Sequence, residues 1–589
     1  MTFLLAGINA KFIQSNLAIR LIRAYADRFS RRVRDGDARV RIAEWNVNTQ
    51  TDAIVRGIYE HGADAVIFST YIWNRETVIR AAEDLRAIDP DLIIGAGGPE
   101  VSYRPERAFT DCPSLDFIII GEGERTFSEL ADRMADRGTS TGGVTREGAF
   151  EALAATAGIA FRTRTGGIQR TESRPLAEDL GEIPFPYGFP DDALDPANRI
   201  VYYESSRGCP YSCAYCLSSI ERSVRFYPLE RVFSDLDYFL DRRWPLVKFV
   251  DRTFNVNPPR YRAIWDHIRE RYNGVTRFHF EIAADMLGSE DFSLLERMPE
   301  GSIQFEVGIQ SANPDTLRAV RRVTDLRRLA DNLRSLPPAI HSHVDLIAGL
   351  PHEDLESFGR SFDYAFALSA DVVQLGFLKV LEGTEMERIA LENRGYKWSP
   401  YPPYEILRTS DIDYPGLLLL KDVEHVVDNL WNSGVFTRAL RYLTERQASA
   451  FAFFRELSGF IRAWFPDGDL FLPRRHWDTF SCLAGYIATT GFPEALEWLK
   501  FDFFMQVKPG RLPDWIVRNH SKDAHDSALE STGFLERCGG VRRIAYARSE
   551  FEIFDFGDGT GPAGYLFTYP SPEERSSGTH FAKIPYNGR

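Results

Sequence analysis

Half of the six cysteines fall within eight residues, in the run Glu204-Ser205-Ser206-Arg207-Gly208-Cys209-Pro210-Tyr211-Ser212-Cys213-Ala214-Tyr215-Cys216; Cys112, Cys482 and Cys538 are scattered. A C-x3-C-x2-C loop in a cysteine-poor chain points to bound metal. Three thiolates can hold three irons of a cubic [4Fe–4S] cluster and leave the fourth iron open to a substrate or cofactor. A zinc knuckle is the rival reading. Structural zinc takes four ligands in a closed site, and no fourth Cys or His lies near the loop in sequence.

The elements that must carry this loop alternate between strand and helix. Val201–Ser205 leads into the cysteines. Strand patterns recur at Val247–Val250, Arg277–Ala283, Ile303–Gly308, His343–Ile347 and Val372–Gly376, with amphipathic helices at Leu229–Leu240 and Tyr261–Tyr272. Six such units predict a partial (β/α)6 barrel with its chemistry at the carboxyl ends of the strands. Polar residues gather there: Asp251, Arg252 and Thr253 after the second strand, Glu281 and Asp285 at the third, Gln310 and Ser311 after the fourth, and Asp345 through Gly349, Leu350 and Pro351 at the fifth.

The first 137 residues show the same alternation. Strands are expected at Thr2–Gly7, Arg39–Val47, Ala65–Ser69, Leu92–Gly95 and Phe117–Ile120, with helices at Leu17–Ala26, Ala53–His61, Glu76–Ile88 and Thr126–Arg133. This pattern predicts a doubly wound parallel sheet, whose ligands bind outside the carboxyl ends of its strands. Four loops meet that edge: Gly7 to Lys11 with Asn9 and Ala10, Ser69-Thr70-Tyr71-Ile72-Trp73-Asn74, Gly97-Gly98-Pro99-Glu100-Val101-Ser102, and Gly121-Glu122-Gly123-Glu124. One glycine pair is a turn; several on one edge favour a ligand. The fold class is thus α/β, with a doubly wound domain over 1–137, a linker over 138–196, the barrel over 197–380 and a mostly α region with some β over 381–589. Within the linker, residues 138–147 read as a loop, and Gly158–Arg170 as a hairpin around Gly166-Gly167. The C-terminal region is aromatic-rich, and Phe551–Phe556 and Ala563–Tyr569 alternate as strands do. The strip from Ser399 to Glu405 reads as an exposed loop that could roof the active site.

Bulk properties exclude some functions. The 589-residue chain is 44% hydrophobic and 26% charged, ordinary for globular domains. Its net charge of −14 argues against a nucleic-acid partner. No apolar run reaches the ~18 residues of a membrane span, and the opening residues read as a strand rather than a signal peptide. The expected compartment is the reducing cytoplasm.

The cysteine spacing, with Tyr215 as the aromatic residue between Cys213 and Cys216, resembles the signature of the radical S-adenosylmethionine (radical SAM) superfamily. GGPEVSY and GEGERTF resemble the cobalamin-binding domain placed before many radical SAM domains. The whole chain is similar to a cobalamin-dependent subgroup with a C-terminal domain of unknown function, and residues 1–435 carry that likeness. The resemblance implies a [4Fe–4S] cluster on Cys209, Cys213 and Cys216, with S-adenosyl-L-methionine (SAM) on its open iron and cleaved by one electron to a 5′-deoxyadenosyl radical. It assigns SAM contacts to Tyr215, Asp251, Thr253, Glu281, Gln310, Ser311, Gly349 and Leu350. Cobalamin contacts fall on Asn9, Ala10, Ser69, Thr70, Tyr71, Trp73, Gly97, Gly98, Glu100, Val101, Gly121, Glu122, Gly123 and Glu124. The D-x-H-x-x-G loop that ligates cobalt in several cobalamin proteins is missing: the only His before residue 267 is His61, at the wrong edge of the sheet. Cobalamin is therefore expected without a His ligand, its lower face covered by Tyr71 and Trp73. No catalytic side chain is singled out. The implied activity is radical methyl transfer to an unactivated carbon of a small molecule or peptide, with an external electron donor and neither nucleic acid nor membrane as partner. The alternatives are a cobalamin-dependent rearrangement, ring closure or oxidation, a nucleic-acid methylthiolating enzyme, and a non-catalytic cobalamin or redox sensor.

Overall fold

In the computed structural model of the chain, the residues described are 1–137, 145–192, 194–466, 476–557, 559, 561–571 and 578–584. Most of the loop expected over 138–147 lies outside them. Two units pack separately: residues 1–354 with 368–370 and 376–413, and residues 355–367 with 371–375 and 414–589.

In the first unit, strands Thr2–Asn9, Arg39–Asn46, Ala65–Ser69, Ile93–Gly97 and Phe117–Ile119 form a parallel sheet ordered second, first, third, fourth, fifth. Alternate residues feed two cores: Leu4, Ala6, Ile8, Val66 and Phe68 on one face, Phe3, Leu5, Ile67 and Ile93 on the other. Burial on both faces explains why these strands read as continuous apolar runs. Helix Leu17–Phe29 starts where the Asn16 side chain accepts the Ile19 amide. Because the order reverses at the first strand, the carboxyl ends of the first and third strands open a crevice. The hairpin strands Ile159–Arg162 and Ile168–Arg170 extend this same sheet antiparallel from Phe117–Ile119. The sequence suggests the hairpin but not its place, because backbone pairing sets it and Ile168, Gln169 and Arg170 are exposed.

A second sheet takes six strands in chain order: Val201–Tyr203, Leu246–Phe249, Arg277–Ile282, Ile303–Gln310, His341–Ala348 and Val372–Phe377. The first five pair in parallel, each with the next. Phe280 and Phe305 pack outward on Trp265 of helix Pro258–Arg271. The alternating positions His279, Glu281, Gln304, Glu306, His343 and Asp345 then share the other, interior face.

The second unit is mainly helical. Phe362 and Phe366 of helix Leu355–Phe366 pack on Phe451 and Phe454 of helix Ala450–Trp464. An antiparallel sheet of Ser549–Phe554, Ala563–Thr568 and His580–Ile584 completes it. The third of these strands gives little sequence signal, as its residues are exposed or half-buried. Among the described residues no helix is long and apolar enough to cross a membrane.

Candidate active site

The cysteine loop leaves strand Val201–Tyr203 through a short antiparallel pair, Ser206–Arg207 with Arg225–Phe226. Gly208 makes the turn at φ +93°, where a Cβ would sit 1.9 Å from the Ser223 carbonyl oxygen, so no other residue fits. Cys209, Cys213 and Cys216 are free thiols that line one cavity of about 170 Å³. Thr253 Oγ1 lies 3.6 Å from Cys209 Sγ, and Arg322 Nη1 points at Cys213 Sγ from 3.9 Å. Among the described residues no three side chains surround a single metal-ion position. Three thiols lining one cavity, with a cationic donor toward Cys213 Sγ and the Thr253 hydroxyl oxygen beside Cys209, instead fit a polynuclear cluster in which each thiolate takes its own iron.

The interior strand positions add an acidic wall of Glu281, Glu306 and Asp345 to the same cavity. Glu281 and Glu306 are register partners, and Asp345 pairs with Gly308. Burial, with the charges of Glu306 and Glu281, pushes the Asp345 carboxyl up to about 8, and its Oδ1 is buried with no hydrogen-bond partner. Burial likewise lifts Glu281 to about 7. Burial would raise Glu306 too, but the hydrogen bond from His279 Nε2 at 2.8 Å and the charge of Lys248, 3.0 Å away, outweigh it and hold that carboxyl at about 2. Two carboxyls pushed toward their protonated form, the ionised Glu306 beside them and an unpartnered Asp345 oxygen leave the wall ready for a ligand that donates hydrogen bonds or carries positive charge.

Of the expected SAM contacts, Tyr215, Thr253, Glu281 and Gln310 line this cavity. Gln310 follows a register shift in its strand and takes φ +70°. Four others do not line it. Asp251, 1% exposed, accepts from the Ser205 amide and from the Ser205 and Ser206 hydroxyls, so it braces the start of the cysteine loop. Ser311 is fully buried, donates to Glu353 Oε1 at 2.6 Å and accepts the Asn313 amide, in the turn where Asn313 caps the next helix. Gly349 is covered by Ile406, and Leu350 is fully buried. The cavity also takes Tyr211, Ser219, Arg252, Glu306, Gly308, Arg322 and Asp345. Glu306 and Asp345 could have been found as charged residues at alternate positions of otherwise apolar strands.

At the carboxyl edge of the first sheet, Trp73 is 43% exposed and stacks flat on Tyr71, rings 4.5 Å apart. Its Nε1 donates to the Ile8 carbonyl in the crevice between the first and third strands. Gly121, at φ +76°, has open space over its Cα. Ala10 and Gly97 are half-buried. A fixed, exposed aromatic plane on the same sheet edge as this open backbone fits a large flat ligand such as a corrin. Other expected cobalamin contacts are engaged within the protein. Asn9 donates to the Gln14 carbonyl and Glu44. Ser69 bonds Asn16, and the Thr70 amide bonds the Gly97 carbonyl. Gly98 presses on the Thr70 carbonyl oxygen, 2.5 Å from where its Cβ would be. Val101 belongs to the core. Glu100 takes Arg75 and the Tyr404 hydroxyl, so Tyr404 of the expected roof is buried against this domain while Tyr401 is 68% exposed. Glu122 and Glu124 pair with Arg207 at 3.0 and 2.5 Å, and Glu122 also with Arg225 at 2.7 Å. The GEGE glutamates therefore bind the cysteine loop, while Gly123 packs on Ile22. His61 ends helix Thr51–Glu60 ahead of the third strand, at the opposite edge.

Three family matches follow the same layout. Residues 4–131 match the B12 binding domain, residues 203–365 the radical SAM superfamily, and residues 392–538 a protein of unknown function, DUF4080. The chain is similar to an uncharacterised methyltransferase of Pyrococcus horikoshii, at 26% identity over 55% of this chain and 67% of the relative. It is also 26% identical to the 2-(S-pantetheinyl)-carbapenam-3-carboxylate methyltransferase of Streptantibioticus cattleyicolor, over 52% of this chain and 46% of that one, so less than half of that relative is spanned. The solved cobalamin-dependent S-adenosylmethionine radical enzyme OxsB, with aqua-cobalamin bound, shares the fold: TM-score 0.60 at 17% identity, covering 89% of this chain and 82% of that one. The chain thus carries, in this order, a match to the B12 binding domain and a match to the radical SAM superfamily, and its two parallel sheets and the cysteine loop follow that order. It then continues into the DUF4080 match.

Proposed function

We propose that this protein is a cobalamin-dependent radical SAM methyltransferase acting on an unactivated carbon of a small molecule or peptide. The observation that carries this reading is the joining of two sites within one unit: Arg207 and Arg225 of the cysteine loop hold Glu122 and Glu124 at the carboxyl edge of the first sheet. When bound, the cluster would supply the electron that cleaves SAM, and cobalamin would carry the methyl group. Cys209, Cys213 and Cys216 would hold the cluster. Tyr215, Thr253, Glu281 and Gln310 would position SAM, with Asp345 Oδ1 accepting one of its donors. The Trp73–Tyr71 plane would support the corrin beside Ala10, Gly97 and Gly121. Asp251 would keep the cysteine loop fixed, and the Glu100–Tyr404 contact would keep the corrin edge fixed. The methyltransferase names of similar proteins support the reaction. An external electron donor, a cytoplasmic location and the absence of a nucleic-acid partner belong to the same proposal; the free cysteines and the charge of −14 support the last two.

The test is the fate of SAM carrying a deuterated methyl group. Reduced, cofactor-loaded protein is incubated with extract of the producing organism and analysed by mass spectrometry. The expected result is a labelled metabolite formed together with S-adenosylhomocysteine and 5′-deoxyadenosine. Substrate-dependent deoxyadenosine with no transferred label would contradict methyl transfer and favour a rearrangement or oxidation.

A further inference from the structure

Two arginines line the cysteine cavity, and they differ in what they have left to give. Arg322 is engaged: its Nη2 donates to the Gly308 carbonyl at 2.6 Å and its Nη1 faces Cys213 Sγ. The Arg252 side chain makes no hydrogen bond or ion pair among the described residues, although the cavity holds three carboxyl groups. Its backbone is nevertheless fixed on both sides. Asp251 is locked by Ser205 and Ser206, and Thr253 Oγ1 donates to the Arg252 carbonyl at 2.7 Å beside Cys209. Asp251 and Thr253 are buried while Arg252 is exposed, so the rung is rigid and the guanidinium stands at the mouth. From there its charge acts on Glu281 inside the cavity and on Tyr71 and Tyr103 of the first domain. Tyr71 belongs to the aromatic plane at the corrin edge.

We propose that Arg252 is a binding residue that receives an anionic oxygen group, a carboxylate or a phosphorus oxyanion, in the space between the cysteine cavity and the carboxyl edge of the first sheet. A guanidinium suits such groups because its planar donors form paired, charge-assisted hydrogen bonds. Placing it on a pinned rung lowers the ordering cost of binding. The wall of Glu281, Glu306 and Asp345 takes donors or cations, so a ligand filling both ends is polarised, with its anionic end at Arg252. That end belongs either to the amino-acid part of SAM or to the second substrate. The inference rests on the proposed cofactors, and its test keeps the two apart.

Full-length protein loaded with cluster and cobalamin is compared with Arg252→Gln and Arg252→Lys. Iron and cobalt contents report on the cofactors; equilibrium binding of SAM, decarboxylated SAM and inorganic phosphate reports on Arg252. If SAM supplies the anion, Arg252→Gln weakens SAM binding by roughly tenfold or more, decarboxylated SAM binds both proteins alike, and Arg252→Lys lies between. If the second substrate supplies it, SAM and decarboxylated SAM are unaffected, and phosphate binding to the SAM-saturated protein falls by a similar factor. Unchanged binding of all three probes would overturn the proposal. So would equal loss of SAM and decarboxylated SAM, or loss of iron in both variants, since each makes Arg252 a structural part of the loop. A wild-type protein that takes up no iron would instead overturn the cofactor reading.

Discussion

Asp345 shows at residue scale what the acidic wall costs in stability. Its carboxyl titrates at about 8 in the fold, against 3.8 when unperturbed, because it is buried beside Glu306 and Glu281. Between those values the native state keeps a proton that the unfolded chain has released. Its contribution is therefore complete below the unfolded value and is lost as pH rises through the folded one. Asp345→Asn removes this titration, so the thermal midpoint of the variant without added SAM should fall less between pH 4 and about 8 than that of the native protein. Parallel curves for the two proteins would show that Asp345 is not the group responsible. The cysteine run was visible at this scale because its C-x3-C-x2-C spacing stands out in the sequence alone. The contacts of Asp251, Ser311 and Glu100 were not. Their positions after strands are visible in the sequence, but their partners Ser205, Glu353 and Tyr404 are supplied by other elements.

At the scale of elements, the loops at the two strand edges are held mostly by one another. Gly98 takes φ +108° against the Thr70 carbonyl. A β-branched residue there strains the backbone by about 1–3 kcal/mol and must part the third- and fourth-strand loops. Gly98→Val is expected to lose cobalt while iron stays at the native level; full cobalt in that variant would remove this edge as the corrin site. Arg207 is only 12% exposed and joins Glu122, Glu124 and Glu204. Arg207→Met leaves Glu124 buried without its ion-pair partner and Glu122 with Arg225 alone, and loss of such a pair costs about 3–5 kcal/mol. The thermal midpoint should fall clearly, and an unchanged midpoint would mean that Arg225 alone suffices. Sequence periodicity located the strands and their order of appearance. It could not show that the GEGE loop turns to the cysteine loop, because Arg207 and Arg225 lie some eighty to a hundred residues away and a glutamate after a strand reads equally well as a ligand contact.

For the molecule as a whole, the parallel sheet and the six-stranded barrel were readable because both repeat a strand–helix unit with strong apolar runs. The packing units were less so: residues 376–413 pack with the barrel, while helix Leu355–Phe366 packs with the aromatic C-terminal helices. Its Phe358, Phe362 and Phe366 follow ordinary helical spacing, which does not say which neighbour they meet. The proposed function depends first on Cys209, Cys213 and Cys216 holding a cluster with one open iron. The most direct measurement is the electron paramagnetic resonance spectrum of the reduced, anaerobically reconstituted protein, before and after SAM is added, with Cys213→Ala alongside. The native protein should give a [4Fe–4S] signal that SAM perturbs, and the variant little iron and no such signal, with cobalamin still bound. A native signal indifferent to SAM, or an intact cluster in Cys213→Ala, would contradict this proposal.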